Sequence, residues 1–331
     1  MGNIRSFLRK ARRLGFDGLY QRLDGIHKRI ESTPALLGVN RNQVETLQVQ
    51  VGDLQTRTVH ALPDHSPLRL AEFKVFSQFG DDGILQYLFS RIPLVDSFIE
   101  FGVEGYTEAN TRFLLIHDNW RGLILDGRPD LQEVLDSQGL PFLHDLTVCS
   151  AFISAENINY LLRDAGFSGE VGLLSIDIDG NDYWVWKAID AVNPQVVVVE
   201  YNAVFGADRA LTIPYDPAFK RSHAHASWLY FGASLPALCR LGEAKGYAFV
   251  GCNSAGNNAY FVRRDLVTPF QVLSASEGFV DSRFRESRNL NGQMSRLAGR
   301  SRLQAIADTL VVDLESGQTI HLADTFPVFL P

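Results

Sequence analysis

Apolar and polar positions change spacing several times along the chain. Short apolar, β-branched runs fall at 97–101, 122–126, 171–177 and 195–200, with a weaker one at 141–145. Stretches with helical spacing lie between them, at 108–118, 129–137, 153–165 and 182–192. Strand and helix in alternation predict a parallel sheet covered on both faces. Two further runs, 247–252 and 258–263, are separated only by Asn253-Ser254-Ala255-Gly256-Asn257. So short a connection permits an antiparallel hairpin and not a parallel crossover. With a helix near 228–245 ahead of that hairpin, the pattern predicts an α/β fold on a seven-stranded, mostly parallel sheet. A second hairpin is expected beyond it, where 310–314 and 319–322 flank Glu315-Ser316-Gly317-Gln318.

The first 62 residues follow other rules. Ile4, Phe7, Leu8, Ala11 and Leu14 keep helical spacing, with Arg5, Arg9, Lys10, Arg12 and Arg13 around them. A basic amphipathic helix over residues 1–20 either lies on an anionic membrane surface or docks on the protein. Leu23, Ile30, Leu37, Val44 and Val51 then fall seven apart, with Ile26, Leu47 and Leu54 at the companion position. Pro34 breaks a continuous helix there, which leaves 41–58 as a short coiled-coil segment suited to self-association or to packing on the body. The two prolines in 61–67 mark a linker. The expected divisions are an arm over 1–62, a main domain over 66–265 and an extension over 266–331.

Charge sharpens this division. The net charge of −7 splits into +5 for residues 1–31 and −12 for the remainder. An acidic body excludes nucleic acid as a partner, because phosphate contacts need a basic surface. The three cysteines, Cys149, Cys239 and Cys252, form no CxxC pair and point to a reducing, cytoplasmic setting.

In such a sheet, ligands bind outside the carboxyl ends of the strands. The first strand ends Glu100-Phe101-Gly102-Val103-Glu104-Gly105. Gly102 and Gly105 permit close backbone approach to a ligand. Glu100, Glu104 and Glu108 oppose a pyrophosphate and suit a cationic ligand. Asp126, at the end of the second strand, is placed to accept from ribose hydroxyls. The fourth strand runs into Asp177-Ile178-Asp179-Gly180-Asn181-Asp182, and the fifth ends Glu200-Tyr201-Asn202. Oxygen ligands from these neighbouring ends suit a hard cation such as Mg²⁺, which lowers the pKa of a substrate hydroxyl. His223 and His225 are candidate bases, or loop histidines without a role.

The segments FIEFGVEG, GLILDG, HDL, LLSIDIDGNDYWVWKAI and VVVVEYN, in this order and spacing, resemble class I S-adenosylmethionine-dependent methyltransferases. SQFGDDGIL and DIDGNDYWVW narrow the resemblance to a bacterial subgroup near the FkbM-like and macrocin-type O-methyltransferases, which act on sugars and other hydroxylated molecules. The resemblance covers about 200 residues and implies a Rossmann-like domain with S-adenosylmethionine as cofactor. It implies Glu100, Gly102 and Gly105 at the methionine part, Asp126 at ribose, Asp145 at adenine, and Gln78 and Asp82 closing the site. Metal ligation falls to Asp179, Glu200 and Asn202, with Asp177 as competitor, and catalysis to Asp177, His223 or His225. The chain departs from the catechol-type pattern by lacking a lysine just after the fourth-strand aspartate. The expected acceptor is a hydroxyl of a glycan or small polar molecule. A nicotinamide-dependent oxidoreductase and a non-catalytic assembly scaffold are the alternatives.

Overall fold

The computed structural model describes residues 43–326. Both the basic segment 1–20 and the heptad positions before residue 43 lie outside the described residues. By contacts the chain divides into two units, Met1–Val51 and Gly52–Pro331. A helix, α1, covers 43–60. Its heptad residues Val44, Leu47, Val51 and Leu54 are all more than half exposed. From Gly52 onward α1 uses its other face. A Cβ at Gly52 would come within 2.8 Å of Val75 and Phe113, so only glycine allows that approach. No described helix is long and apolar enough to cross a membrane.

The main sheet is built from β1 (Ser97–Phe101), β2 (Arg121–Asp126), β3 (Leu146–Ser150), β4 (Gly169–Ile176), β5 (Val192–Glu200), β7 (Tyr247–Cys252) and β8 (Asn258–Arg263). Its order is β3-β2-β1-β4-β5-β8-β7, and only β8 runs antiparallel to its neighbours. The Rossmann-like α/β sheet with its terminal antiparallel hairpin is therefore present. Central strands covered on both faces read as continuous apolar runs. Accordingly Val196–Val199 of β5 are all buried. Trp186 anchors one face, 5.0 Å from the Phe261 ring and 6.1 Å from Tyr247. Truncating so large a buried ring costs about 3–5 kcal/mol.

The connecting helices are α2 (Asp81–Phe89), α3 (Arg112–Ile116), α4 (Leu131–Gln138), α5 (Leu140–Leu143), α6 (Ile158–Asp164), α7 (Asp182–Ala188), α8 (Arg221–Ala224) and α9 (Leu235–Ala244). Several start later than periodicity predicts. α3 waits until Arg112 because the Glu100 carboxylate takes the N–H groups of Asn110 and Thr111 first.

The weak third run is placed differently. Residues 140–143 are helical, entered through left-handed Gly139 with Pro141 in the first turn, and the strand begins only at Leu146. Asp145 thus stands at the start of β3 and not at its end. A further strand, β6 (Leu211–Thr212), was not legible in the sequence. It joins β9 (Leu310–Asp313) and β10 (Thr319–His321) in a second sheet, ordered β10-β9-β6. The terminal hairpin was expected; its attachment to the segment after β5 was not.

Candidate functional site

The carboxyl ends of β1, β2, β4 and β5 open onto a cavity of about 700 Å³. Gly102, left-handed at φ 74°, begins its wall. A Cβ there would sit 1.6 Å from the Asp177 carbonyl oxygen. The glycine thus lets the β1 loop lie directly against the end of β4. Glu100 lines the same end. It is buried and accepts from Asn110 N–H at 2.8 Å, Thr111 N–H at 3.0 Å and the Thr111 hydroxyl. Burial outweighs these bonds and raises its pKa to about 7.

Asp126 is half-buried at the end of β2. Glu104 N–H and Arg128 N–H each donate to it at 2.8 Å, one to each oxygen. Those bonds fix the carboxylate while leaving lone pairs toward the cavity. Gly105 lies outside the lining, and a Cβ there would meet nothing closer than 3.8 Å. Its expected close approach has no counterpart in this geometry.

The β4–β5 end is built from side chains. Oxygens of Asp177, Asp179 and Glu200 lie within 4.8 Å of one another. Asp177 and Glu200 crowd each other in this cluster, and both pKa values are pushed well up, by burial first and then by neighbouring carboxylates. Two groups hold the loop between them. Asp182 accepts from Ile178 N–H and Gly180 N–H at 2.8 and 2.9 Å, and burial raises it to about 6. Arg221 of α8 reaches Asp179 at 2.5 Å, pairs also with Glu286, and rests 3.7 Å over the Phe231 ring.

Five further expected site residues stand elsewhere. Asn202 is buried: its Oδ1 accepts from Val204 N–H, and its Nδ2 donates to the Leu229 and Phe231 carbonyls. Its amide is spent on closing the β5 turn, so Asp177 takes its place in the carboxylate cluster. Asp82 is buried beneath the 75–77 loop, whose three N–H groups donate to one of its oxygens at 2.7–2.9 Å. It positions the loop, and its neighbour Gln78 lines the cavity. Asp145 is exposed and faces Arg121 at 3.9 Å, at the strand end remote from the cavity. Phe152 and Ile153, just past the true end of β3, occupy the wall instead. His223 is exposed outside the lining. His225 Nδ1 bonds the Ser227 hydroxyl at 2.8 Å, and it too is absent from the wall. The residue that sequence reasoning missed beside them is Arg221. No motif marks it; its only signal was proximity to the histidines.

No known family model matches the chain, and no curated protein matches it. Among solved structures it is similar to an O-methyltransferase family protein from Burkholderia thailandensis, at 12% identity over 74% of this chain, with TM-score 0.35. It spans 60% of that protein's length. It is also similar to an O-methyltransferase from Bacillus cereus in complex with SAH, at 13% identity over 66% of this chain and 91% of that one, TM-score 0.36. The N-terminal domain of EvdMO1 with SAH bound is a third, at 10% identity over 67% and 94%, TM-score 0.37. These alignments are shallow, and the chemistry of the site rests on its own residues.

Proposed function

We propose that the chain is an S-adenosylmethionine-dependent O-methyltransferase acting on a hydroxyl of a carbohydrate or other polar small molecule. The observation that carries this reading is the pairing of an acidic glycine loop with Asp126 at the next strand end. Glu100 and Glu104 repel a pyrophosphate, which disfavours a dinucleotide. They suit a donor bearing a sulfonium and an amino group, while Asp126 accepts from its ribose hydroxyls. Phe152 and Ile153 offer an apolar wall to the adenine.

Methyl transfer needs alignment and a proton acceptor. The acceptor oxygen attacks the methyl carbon as the carbon–sulfur bond breaks, leaving a neutral thioether. The hydroxyl proton passes to the Asp177–Glu200 pair, whose raised pKa makes it a better base than an ordinary carboxylate. Three clustered carboxylates also fit a divalent cation by donor chemistry, with Asp177, Asp179 and Glu200 as its holders. Bound there, such an ion would acidify the acceptor hydroxyl. Arg221 already neutralises Asp179, so transfer without metal is equally compatible with the geometry.

Calorimetry with S-adenosylhomocysteine and NAD tests the reading. Binding of the first and not the second is expected. Binding of neither supports the scaffold alternative, and NAD binding alone supports the oxidoreductase. Full activity after exhaustive chelation removes the metal.

A further inference from the structure

The cavity has two ends of different construction. β2 and β5 are separated by β1 and β4, a lateral span of about 14 Å at the usual strand spacing. Asp126 and the glycine loop occupy one side. The other is closed by segments distant in sequence: Phe219 and Trp228 from the connection after β6, and Phe284 and Glu286 from the chain after β8.

This second wall is anchored. Phe219 lies over Gly180, where a Cβ would come within 2.3 Å of its ring. Phe284 packs against Phe79 with the rings tilted and their centroids 4.7 Å apart, and Arg288 covers the Trp228 ring at 3.9 Å. Backbone bonds from Arg283 to Ala255 and from Arg288 to Ser227, both 3.1 Å, hold the segment on either side of Phe284 and Glu286. Arg221 ties Glu286 to Asp179.

The charge of the wall is one-sided. Among the described residues, the lining at this end carries four carboxylates, Asp177, Asp179, Glu200 and Glu286, against two cations, Lys220 and Arg221. Arg221 is already spent on Asp179 and Glu286. Asn181 adds another acceptor. Its Nδ2 donates to the Asp216 carbonyl, while its buried Oδ1 has no partner within the protein. Aromatic rings beside acceptor-rich walls suit a ring with an apolar face and hydroxyl or amino groups at its edge. They disfavour a phosphate or carboxylate, because like charges repel across a buried contact.

We infer that the segment 281–288 completes an acceptor subsite, and that this subsite selects a neutral or amine-bearing pyranose and excludes its acidic counterparts. The inference rests on the methyl-transfer reading and adds to it the charge class of the acceptor and the residues that set it.

The test uses the full chain saturated with S-adenosylhomocysteine. Matched sets of hexose, hexosamine, hexuronic acid and hexose 6-phosphate, in gluco, galacto and manno configurations, are titrated by saturation-transfer NMR. Transfer from S-adenosylmethionine is followed in parallel. At least one neutral or amino sugar is expected to bind about tenfold or more tighter than its own uronic and phosphorylated forms. Glu286→Gln should narrow that gap. Phe284→Ala should weaken sugar binding while leaving S-adenosylhomocysteine affinity within about twofold; Phe284→Leu is the milder variant if alanine impairs folding. Equal or preferred binding of the acidic forms overturns the inference, as does binding of no sugar by protein that still binds S-adenosylhomocysteine. Protein that fails to bind S-adenosylhomocysteine loses the underlying reading as well.

Discussion

The two ends of the cavity make an instructive pair. At the β1–β2 end the backbone does most of the work. Gly102 lets one loop touch another, and Asp126 is fixed by two N–H groups. At the β4–β5 end side chains do it. Three carboxylates that repel one another are held by Arg221, Asp182 and segments far away in the chain. The first end depends on conformation and the second on charge balance, so substitutions should separate them.

The largest effect is expected from Gly102→Ala. Its Cβ would overlap the Asp177 carbonyl, so the β1 and β4 loops must part. S-adenosylhomocysteine affinity should fall by about a hundredfold or more, at a cost of roughly 3 kcal/mol in melting experiments. An unchanged affinity would mean that the loop contact does not shape the site.

Next, Asp126→Ala and Glu200→Gln should fail in opposite ways. The first should weaken S-adenosylhomocysteine binding by about ten- to a hundredfold, as expected for lost hydrogen bonds to a charged group. The second should leave that affinity within about threefold and lower turnover by about 10²–10⁴. Identical phenotypes from calorimetry and single-turnover kinetics would erase the distinction between the two ends.

A smaller effect concerns pH. Glu100 is raised to about 7 by burial, and Asp82 and Asp182 to about 6. Groups raised in this way favour the folded state while protonated. Their stabilisation is complete below the ordinary carboxylate range and is lost as pH climbs through 6 and 7. The melting temperature should therefore fall between pH 5 and pH 8, and Glu100→Gln should flatten the upper part of that slope. A melting temperature that rises over this range would contradict it. The smallest effect is reserved for His223→Ala and His225→Ala, each expected to change turnover by less than about twofold.

Legibility in the sequence divided along the same line. β1, β2, β4, β5 and the β7–β8 hairpin were readable because continuous apolar runs between turn residues leave few alternatives. So was the backbone-built end, since glycine and an aspartate at a strand end are local signals. The third strand was misplaced because Leu140-Pro141-Phe142-Leu143 is apolar enough for a strand, yet Gly139 and Pro141 start a helix. Periodicity alone does not separate the two in so short a run. That displacement moved Asp145 to the wrong end of the sheet, and with it the expected adenine contact. At the charge-built end, Asp177, Asp179 and Glu200 were legible as a group. Asn202 was not, because nothing local shows that its amide serves the 229–231 backbone. Arg221 and Glu286 became neighbours only through folding; they are 65 residues apart.

β6 has a further bearing, on the order in which the molecule is made. This two-residue strand follows the β5 turn, yet its sheet partner is β9, and Arg209 beside it reaches Asp313, 104 residues later. While the chain is being synthesised, the glycine loop, Asp126 and the carboxylate cluster all emerge before the partner of β6 exists. The glycine-loop end of the cavity can therefore take shape well before the chain has anything firm with which to close the other end.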